Sequence, residues 1–283
     1  MTSQTDLSDI DRLWDYGNPA ESERRFRGRL PAAALKSAEH VELLTQIARS
    51  QGLQRQFDAA RRTLDEAQQQ LTDDMTRARV RYLLERGRVY NSARQPAEAA
   101  PLFRAAWELA STTGEDFYAV DAAHMLGICE PPDQKVAWHL KALELAERSS
   151  QPRAQNWLGS LYNNLGWTFH DQGDYARALD LFEKALRFRE AQGQKPETQI
   201  ARWCVARALR SLGRVEEALA RQRELLAEHQ SDGAAMVSCS RSWANACCCW
   251  AGRMRPGPTS RRHTPSWCGT RGSWRASQPG WSG

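Results

Sequence analysis

The sequence predicts an all-α fold, an α-solenoid of about six antiparallel helix pairs. Three observations predict it. One pattern recurs about every 40 residues, each copy has the helical rather than the strand period, and each copy breaks in its middle at a turn. The small residues at the centres of the copies are Ala48, Gly87, Gly127, Gly166 and Ala206, at spacings of 39, 40, 39 and 40. A helix pair of this kind cannot bury its apolar face alone, so copies stack, and each buries the next.

Taken in chain order, the first unit is weak: Leu13, Gly17 and Phe26 suggest a helix pair that caps the stack. The next carries Leu44, Ile47 and Ala48, then Ala60, Leu64 and Ala67 on a second helix. Leu83, Gly87 and Tyr90 followed by Ala99, Phe103 and Ala106 restate it. The fourth is the poorest, with Leu126-Gly127, a short connector at Pro131-Pro132, and Ala142-Leu143. The clearest is LYNNLGWTFHDQGDYARALDLFEKAL at 161–186, where Tyr162, Leu165, Gly166 and Phe169 share one helix face. It breaks at Gly173-Asp174 and resumes with Ala178, Phe182 and Ala185. Val205, Ala206, Leu209 and Gly213, then Ala218 and Leu225, form the last. A glycine inside a helix costs about 1 kcal/mol relative to alanine, so Gly166 needs a compensating reason. Close approach of the two helices, with large side chains filling the space between, supplies it.

Large residues in the first helix, Gly or Ala at its middle, then Ala, an aromatic and Ala in the second: this pattern resembles the tetratricopeptide repeat. The resemblance covers about 7–229, and the period exceeds the family's usual 34 residues, which implies longer helices. With NNLG and ALRFRE it is similar to the longer-helix repeats of kinesin light chains and bacterial regulatory proteins. The resemblance implies a concave groove lined by first helices that binds a peptide or a partner helix.

Two domains are expected, a solenoid over 1–233 and a tail over 234–283. The tail has no Asp, Glu, Lys, Leu, Ile, Phe or Tyr, yet holds five of the eleven Trp, five of the seven Cys and seven Arg. No core can be built from it, and it is expected to be disordered. The chain carries +5 from 39 basic and 34 acidic residues. Without the seven tail arginines, 32 basic residues stand against 34 acidic, so the basicity belongs to the tail and argues for no nucleic-acid partner. Read one nucleotide earlier, CCCWA at 247–251 encodes Leu-Leu-Leu-Gly whatever the codons, and the Trp243/Ala244 junction encodes a Gly seven positions before. Gly166 and Gly173 are also seven apart. The tail is therefore expected to be an out-of-frame reading of a further repeat, leaving Leu219, Leu225 and Leu226 partly uncovered.

The polar, acidic start MTSQTDLSDIDRLWDY is not a secretory signal, and no run reaches the length needed to span a bilayer. Two cysteines in the body, Cys129 and Cys204, fit reduced thiols, so a cytoplasmic protein is expected, and Arg-rich, Lys-poor usage suggests a bacterial gene. No phosphate loop, dinucleotide fingerprint, HExxH or GxSxG occurs, so no enzyme, cofactor or metal is expected. His124, His139 and His170 are read as belonging to different repeats, as surface or groove histidines. Asp171 and Asp174 are read as turn and capping residues.

Counting from each small residue, the positions facing a groove give Arg49; Arg88 and Asn91; His124; Asn163, Trp167 and His170; Trp203, Arg207 and Arg210. Arginine forks suit carboxylates, asparagine fixes an extended backbone, and tryptophan gives apolar anchoring area. The pattern points to an acidic or carboxylate-ended peptide, and to neither nucleic acid nor membrane. The alternative is a solvated helix face with Trp167 and Trp203 filling gaps between repeats. As a whole the chain reads as a protein-interaction scaffold, or else as a regulatory sensor module whose curvature changes on binding a peptide or small effector.

Overall fold

The computed structural model describes residues 8–231. Helices account for the regular structure, and among the described residues there is no strand. A short helix α1 (Ser8–Asp11) and α2 (Pro19–Arg29), with a 3₁₀ turn at Leu30–Ala32, precede five helix pairs. The pairs are α3 (Ala38–Leu53) with α4 (Phe57–Gln70), α5 (Thr76–Ser92) with α6 (Pro96–Thr112), and α7 (Asp116–Cys129) with α8 (Pro132–Arg148). After one extra turn, α9 (Pro152–Gln155), come α10 (Leu158–Asp171) with α11 (Tyr175–Ala191), and α12 (Lys195–Ser211) with α13 (Val215–Ser231). From α2 to α8 and from α10 to α13 each helix packs on the next in the chain, α10 packs back on α8, and α3 packs also on α5. This is an all-α solenoid, and its many 17-residue helices account for the long period.

The mid-helix glycines have the predicted cause. A Cβ on Gly87 would lie 2.6 Å from the Phe103 ring, and one on Gly166 would lie 2.5 Å from the Phe182 ring. Both phenylalanines are fully buried, so each ring lies flush on the opposite helix's backbone. The buried side chains form one cluster from Ile10 to Val89 and a second from Val80 to Ala218, along the length of the stack. Deleting either ring would leave a cavity worth about 3–5 kcal/mol.

The turns inside four pairs sit seven residues after the small residue, at Arg55, Arg94, Gly173 and Gly213, and all four adopt positive φ, between 63° and 82°. Asp174 caps α11 by accepting from the Arg177 backbone N–H at 3.1 Å, as its position predicts. Asp171 ends α10 and caps no helix start.

The first unit differs from expectation. Leu13 and Gly17 lie in turns and not in a helix. The Asp15 carboxylate accepts from the backbone N–H groups of Gly17 and Asn18, both at 3.1 Å, and Asn18 then caps α2 through the Glu21 N–H. Such local bonding competes with helix formation. Only α2 packs on α3 as a full helix, with Phe26 fully buried. At the other end, Leu219 and Leu226 are 42% and 50% exposed, as expected, but Leu225 is buried. The expectations for 234–283, disorder and an altered reading frame, lie outside the described residues.

Candidate partner-binding face

Arginines from successive first helices meet buried carboxylates on one face. Glu42 of α3 receives Arg77 at 3.2 Å and Arg81 at 3.3 Å, both from α5. Glu85 receives Arg49 of α3 at 3.3 Å and Arg88 at 2.6 Å. Arg88 also bonds Asp121 of α7. The network thus ties three first helices together in the order of the stack. Burial works against the charge of Arg81, but Tyr118, Asp11 and Glu42 outweigh it and hold the guanidinium above its ordinary pKa.

The end of α1 and the segment after it lie against the same face. Asp11 bonds Arg81 at 2.9 Å and Arg153 of α9. Trp14 donates its indole N–H to Gln46 of α3 at 3.0 Å, stacks on Tyr16 at 4.8 Å, and lies under the Arg49 guanidinium at 5.5 Å. Glu115, half-buried beside Arg77, Arg153 and Arg81, has its pKa raised by burial. Five arginines (Arg49, Arg77, Arg81, Arg88, Arg153) therefore share the face with five carboxylates (Asp11, Glu42, Glu85, Glu115, Asp121).

The residues singled out in the sequence divide into three groups. Arg49 and Arg88 are in this network, engaged with the chain's own acids. Asn91 is half-buried at the end of α5. Asn163, Trp167, His170 and Trp203 cluster between α10 and α12. Trp167 lies 5.8 Å from Trp203 and 5.2 Å from both Phe182 and His170, and packs on the core. His170 Nε2 shares a 2.9 Å hydrogen bond with Ser211, and Cys204 Sγ–H reaches Asn163 Oδ1 at 3.4 Å. Arg207 is half-buried and Arg210 exposed, and the ion pairs among the described residues do not extend to them.

His124 is placed differently from expectation. It is not in a different repeat from His139: the two face each other across α7 and α8, ring centroids 5.6 Å apart, with Trp157 at 5.2 Å from His124. His139 occupies the place of Phe103 and Phe182, and a Cβ on Gly127 would meet its ring at 2.4 Å. Nδ1 of His124, both ring nitrogens of His139 and Nε1 of Trp157 are buried without a hydrogen-bond partner. Burial, with Arg88 opposing Asp121, pushes the His124 pKa down to about 4, and burial with His124 and Lys135 does the same for His139. Sequence reasoning missed the pair because the Pro131-Pro132 connector shortens the interval. The ring falls twelve positions after Gly127, whereas Phe103 and Phe182 fall sixteen after Gly87 and Gly166. Among the described residues, no group of three or more His, Cys, Asp or Glu is placed to hold a metal ion.

The family model of the tetratricopeptide repeat matches residues 136–191, which span α8 to α11. The chain carries the tetratricopeptide repeat. Solved structures of the same architecture extend the likeness over the remaining pairs. BtubC (BKLC) from P. vanneervenii covers 93% of this chain and 99% of its own, at 16% identity and a TM-score of 0.58. The apo form of RapI covers 82% of this chain at 12% identity and a TM-score of 0.63, and this chain spans 66% of it. A kinesin light chain with nearly identical repeats from Podosopora anserina covers 70% of this chain and 99% of its own, at 18% identity and a TM-score of 0.53. At these identities the likeness is one of fold. No curated protein matches the chain. Among the described residues, no helix of this tetratricopeptide-repeat solenoid is long and apolar enough to cross a membrane.

Proposed function

We propose that the solenoid is a non-enzymatic protein-interaction scaffold, and that its first-helix face binds an acidic peptide or partner helix. The observation that carries the proposal is the pair Arg207 and Arg210 on α12, to which the ion pairs among the described residues do not extend, on the same helix as Trp203, which lies 5.8 Å from Trp167 of α10. Arginine forks hold carboxylates in two-point geometry, and a desolvated aromatic pair gives the apolar anchor that makes such contacts selective. The repeat supports this reading, since a stack of helix pairs presents a long surface without a catalytic constellation. Cytoplasmic location and a bacterial gene remain part of the proposal, resting on composition.

Arg88 is a poor place to test it. Arg88→Glu would set three carboxylates together with Glu85 and Asp121 and report on folding. Arg207→Glu with Arg210→Glu leaves the ion-pair network intact. With fluorescein-labelled Asp/Glu-rich decapeptides as probes, the double variant should bind at least about tenfold more weakly than wild type, a loss of about 1.4 kcal/mol. Equal affinity would move the site off this face. The sensor reading draws on the same network, because Glu42, Glu85 and Asp121 join three successive first helices and a ligand inserted among them would alter their spacing. A change in radius of gyration on probe binding, measured by solution X-ray scattering, separates sensor from passive scaffold.

A further inference from the structure

The outer face of α13 has the composition of a buried face. Leu219 and Leu226 are 42% and 50% exposed, and Val215, on the same side by helical spacing, is 57% exposed. Leu179 holds the place of Leu219 on α11, six residues after the turn, and is 8% exposed with α12 packed on its helix. Leu186, the equivalent of Leu226, is half-buried against the core. Among the described residues, α11 is followed by a helix pair and α13 is not.

Four pairs share places that the fold fixes, counted from the turn residues Arg55, Arg94, Gly173 and Gly213. Twelve before the turn stand Leu43, Tyr82, Leu161 and Ala201, all buried, and seven before it stand the small residues of the close helix approach. Five after the turn each pair has a buried alanine, Ala60, Ala99, Ala178 or Ala218. Twelve after it stand Ala67, Ala106, Ala185 and Leu225, also buried. The nucleotides under 238–263, read one position earlier, can be set against these places whatever the codons. With the Gly of the Trp250/Ala251 junction as the turn, the twelfth place before it is the Ser238/Cys239 junction, which encodes Leu, Met or Val. The seventh before is the obligatory Gly of Trp243/Ala244. The fifth and twelfth after are Arg255/Pro256 and Arg262/His263, and each encodes Ser, Pro, Thr or Ala. Eight and four before the turn, where Leu165 and Phe169 stand in one pair and Val205 and Leu209 in another, Ser242/Trp243 and Ala246/Cys247 both encode Leu, Met or Val. This turn falls about 38 positions after Gly213, against 39 from Arg55 to Arg94 and 40 from Gly173 to Gly213.

We infer that the outer face of α13 is the docking surface for a sixth helix pair of the same repeat, and that the gene encodes this pair beneath residues 234–283 in the preceding reading frame. One base missing between codons 231 and 238 separates the pair from the solenoid. Docking removes Val215, Leu219 and Leu226 from water, the same force that seats α12 on α11. The inference is independent of any ligand of the first-helix face.

Two experiments test it. The first is the nucleotide sequence of the gene across codons 225–283. The preceding frame should be open through the His263 codon, with Ala, Ser or Thr at both small places after the turn. A stop before that codon, or a proline at either place, overturns the inference. The second adds one nucleotide after codon 231 and compares the frame-restored full chain with the present one. Amide hydrogen exchange over 215–231 should be at least about tenfold slower in the restored chain. Leu219→Lys with Leu226→Lys, harmless in the present chain, should lower the Tm of the restored chain by at least about 4 °C. Unchanged exchange, or a double lysine as harmless in the restored chain as in the present one, overturns the docking surface even where the frame is open.

Discussion

His139 shows how much one side chain can depart from its repeat. Its ring replaces a phenylalanine against Gly127, carrying two nitrogens that find no partner. Leaving a buried polar group unsatisfied costs about 1–3 kcal/mol. His139→Phe should therefore raise Tm at pH 7 by about 2–6 °C, if the larger ring is accommodated. The pH dependence follows from the depressed pKa values. His124 and His139 stay neutral in the folded chain down to about 4, whereas unfolded histidine takes up its proton near 6.5. The unfolded chain binds more protons between those values, so stability is fully present above pH 6.5 and falls as pH drops toward 4. His139→Phe should remove about half of that fall, measured by thermal melts across the window, and an unchanged slope would place the pH sensitivity elsewhere. The glycine-to-aromatic rule was legible in Gly87 and Phe103 and in Gly166 and Phe182, because a fixed interval of sixteen carries it. It was illegible at His139, where a shorter connector moved the ring and a polar residue hid it.

At the scale of the element, the turns within pairs show a rule with two exceptions. Gly173 and Gly213 hold left-handed backbone without penalty, but Arg94 holds the same conformation at φ 64° with a Cβ. That conformation costs an L-residue about 1–2 kcal/mol, against about 0.5–1 kcal/mol for the extra freedom of glycine when unfolded. Arg94→Gly should therefore stabilise the chain by about 0.5–1 kcal/mol in urea unfolding, with no change in m. A destabilised variant would mean that Arg94 makes a contact worth more than its strain. The sequence announces such turns when they are glycine and conceals them when they are arginine, since only the interval of seven marks Arg55 and Arg94. The first unit was misread for the converse reason. Leu13, Gly17 and Phe26 have repeat-like spacing, but Asp15, Asn18 and Pro19 write a turn and a cap between them, and local hydrogen bonds prevail over a weak apolar pattern.

At the scale of the whole molecule, a solenoid buries each pair on its neighbour, so the two faces of the last described helix have unequal worth. Leu225 is 2% exposed on α13, whereas Leu219 and Leu226 are 42% and 50% exposed. Leu225→Ala should cost about 2–5 kcal/mol, while Leu219→Lys with Leu226→Lys should change stability by no more than about 0.5 kcal/mol. A double-lysine loss as large as that of Leu225 in denaturant melts would show that the outer face of α13 is covered. Five of the about six expected pairs, and their order, were readable because repetition multiplies a weak signal. The engagement of Arg49 and Arg88 was not, since Glu42, Glu85 and Asp121 look like ordinary helix-surface acids until the helices are set side by side. One consequence of the glycine-on-ring contact reaches past stability. In the three pairs that have it, the closing ring comes from that pair's own second helix, so this fastening lies wholly within one stretch of about 40 residues. Such a stretch can be copied or struck out as a word is from a line of text, without respelling the words on either side.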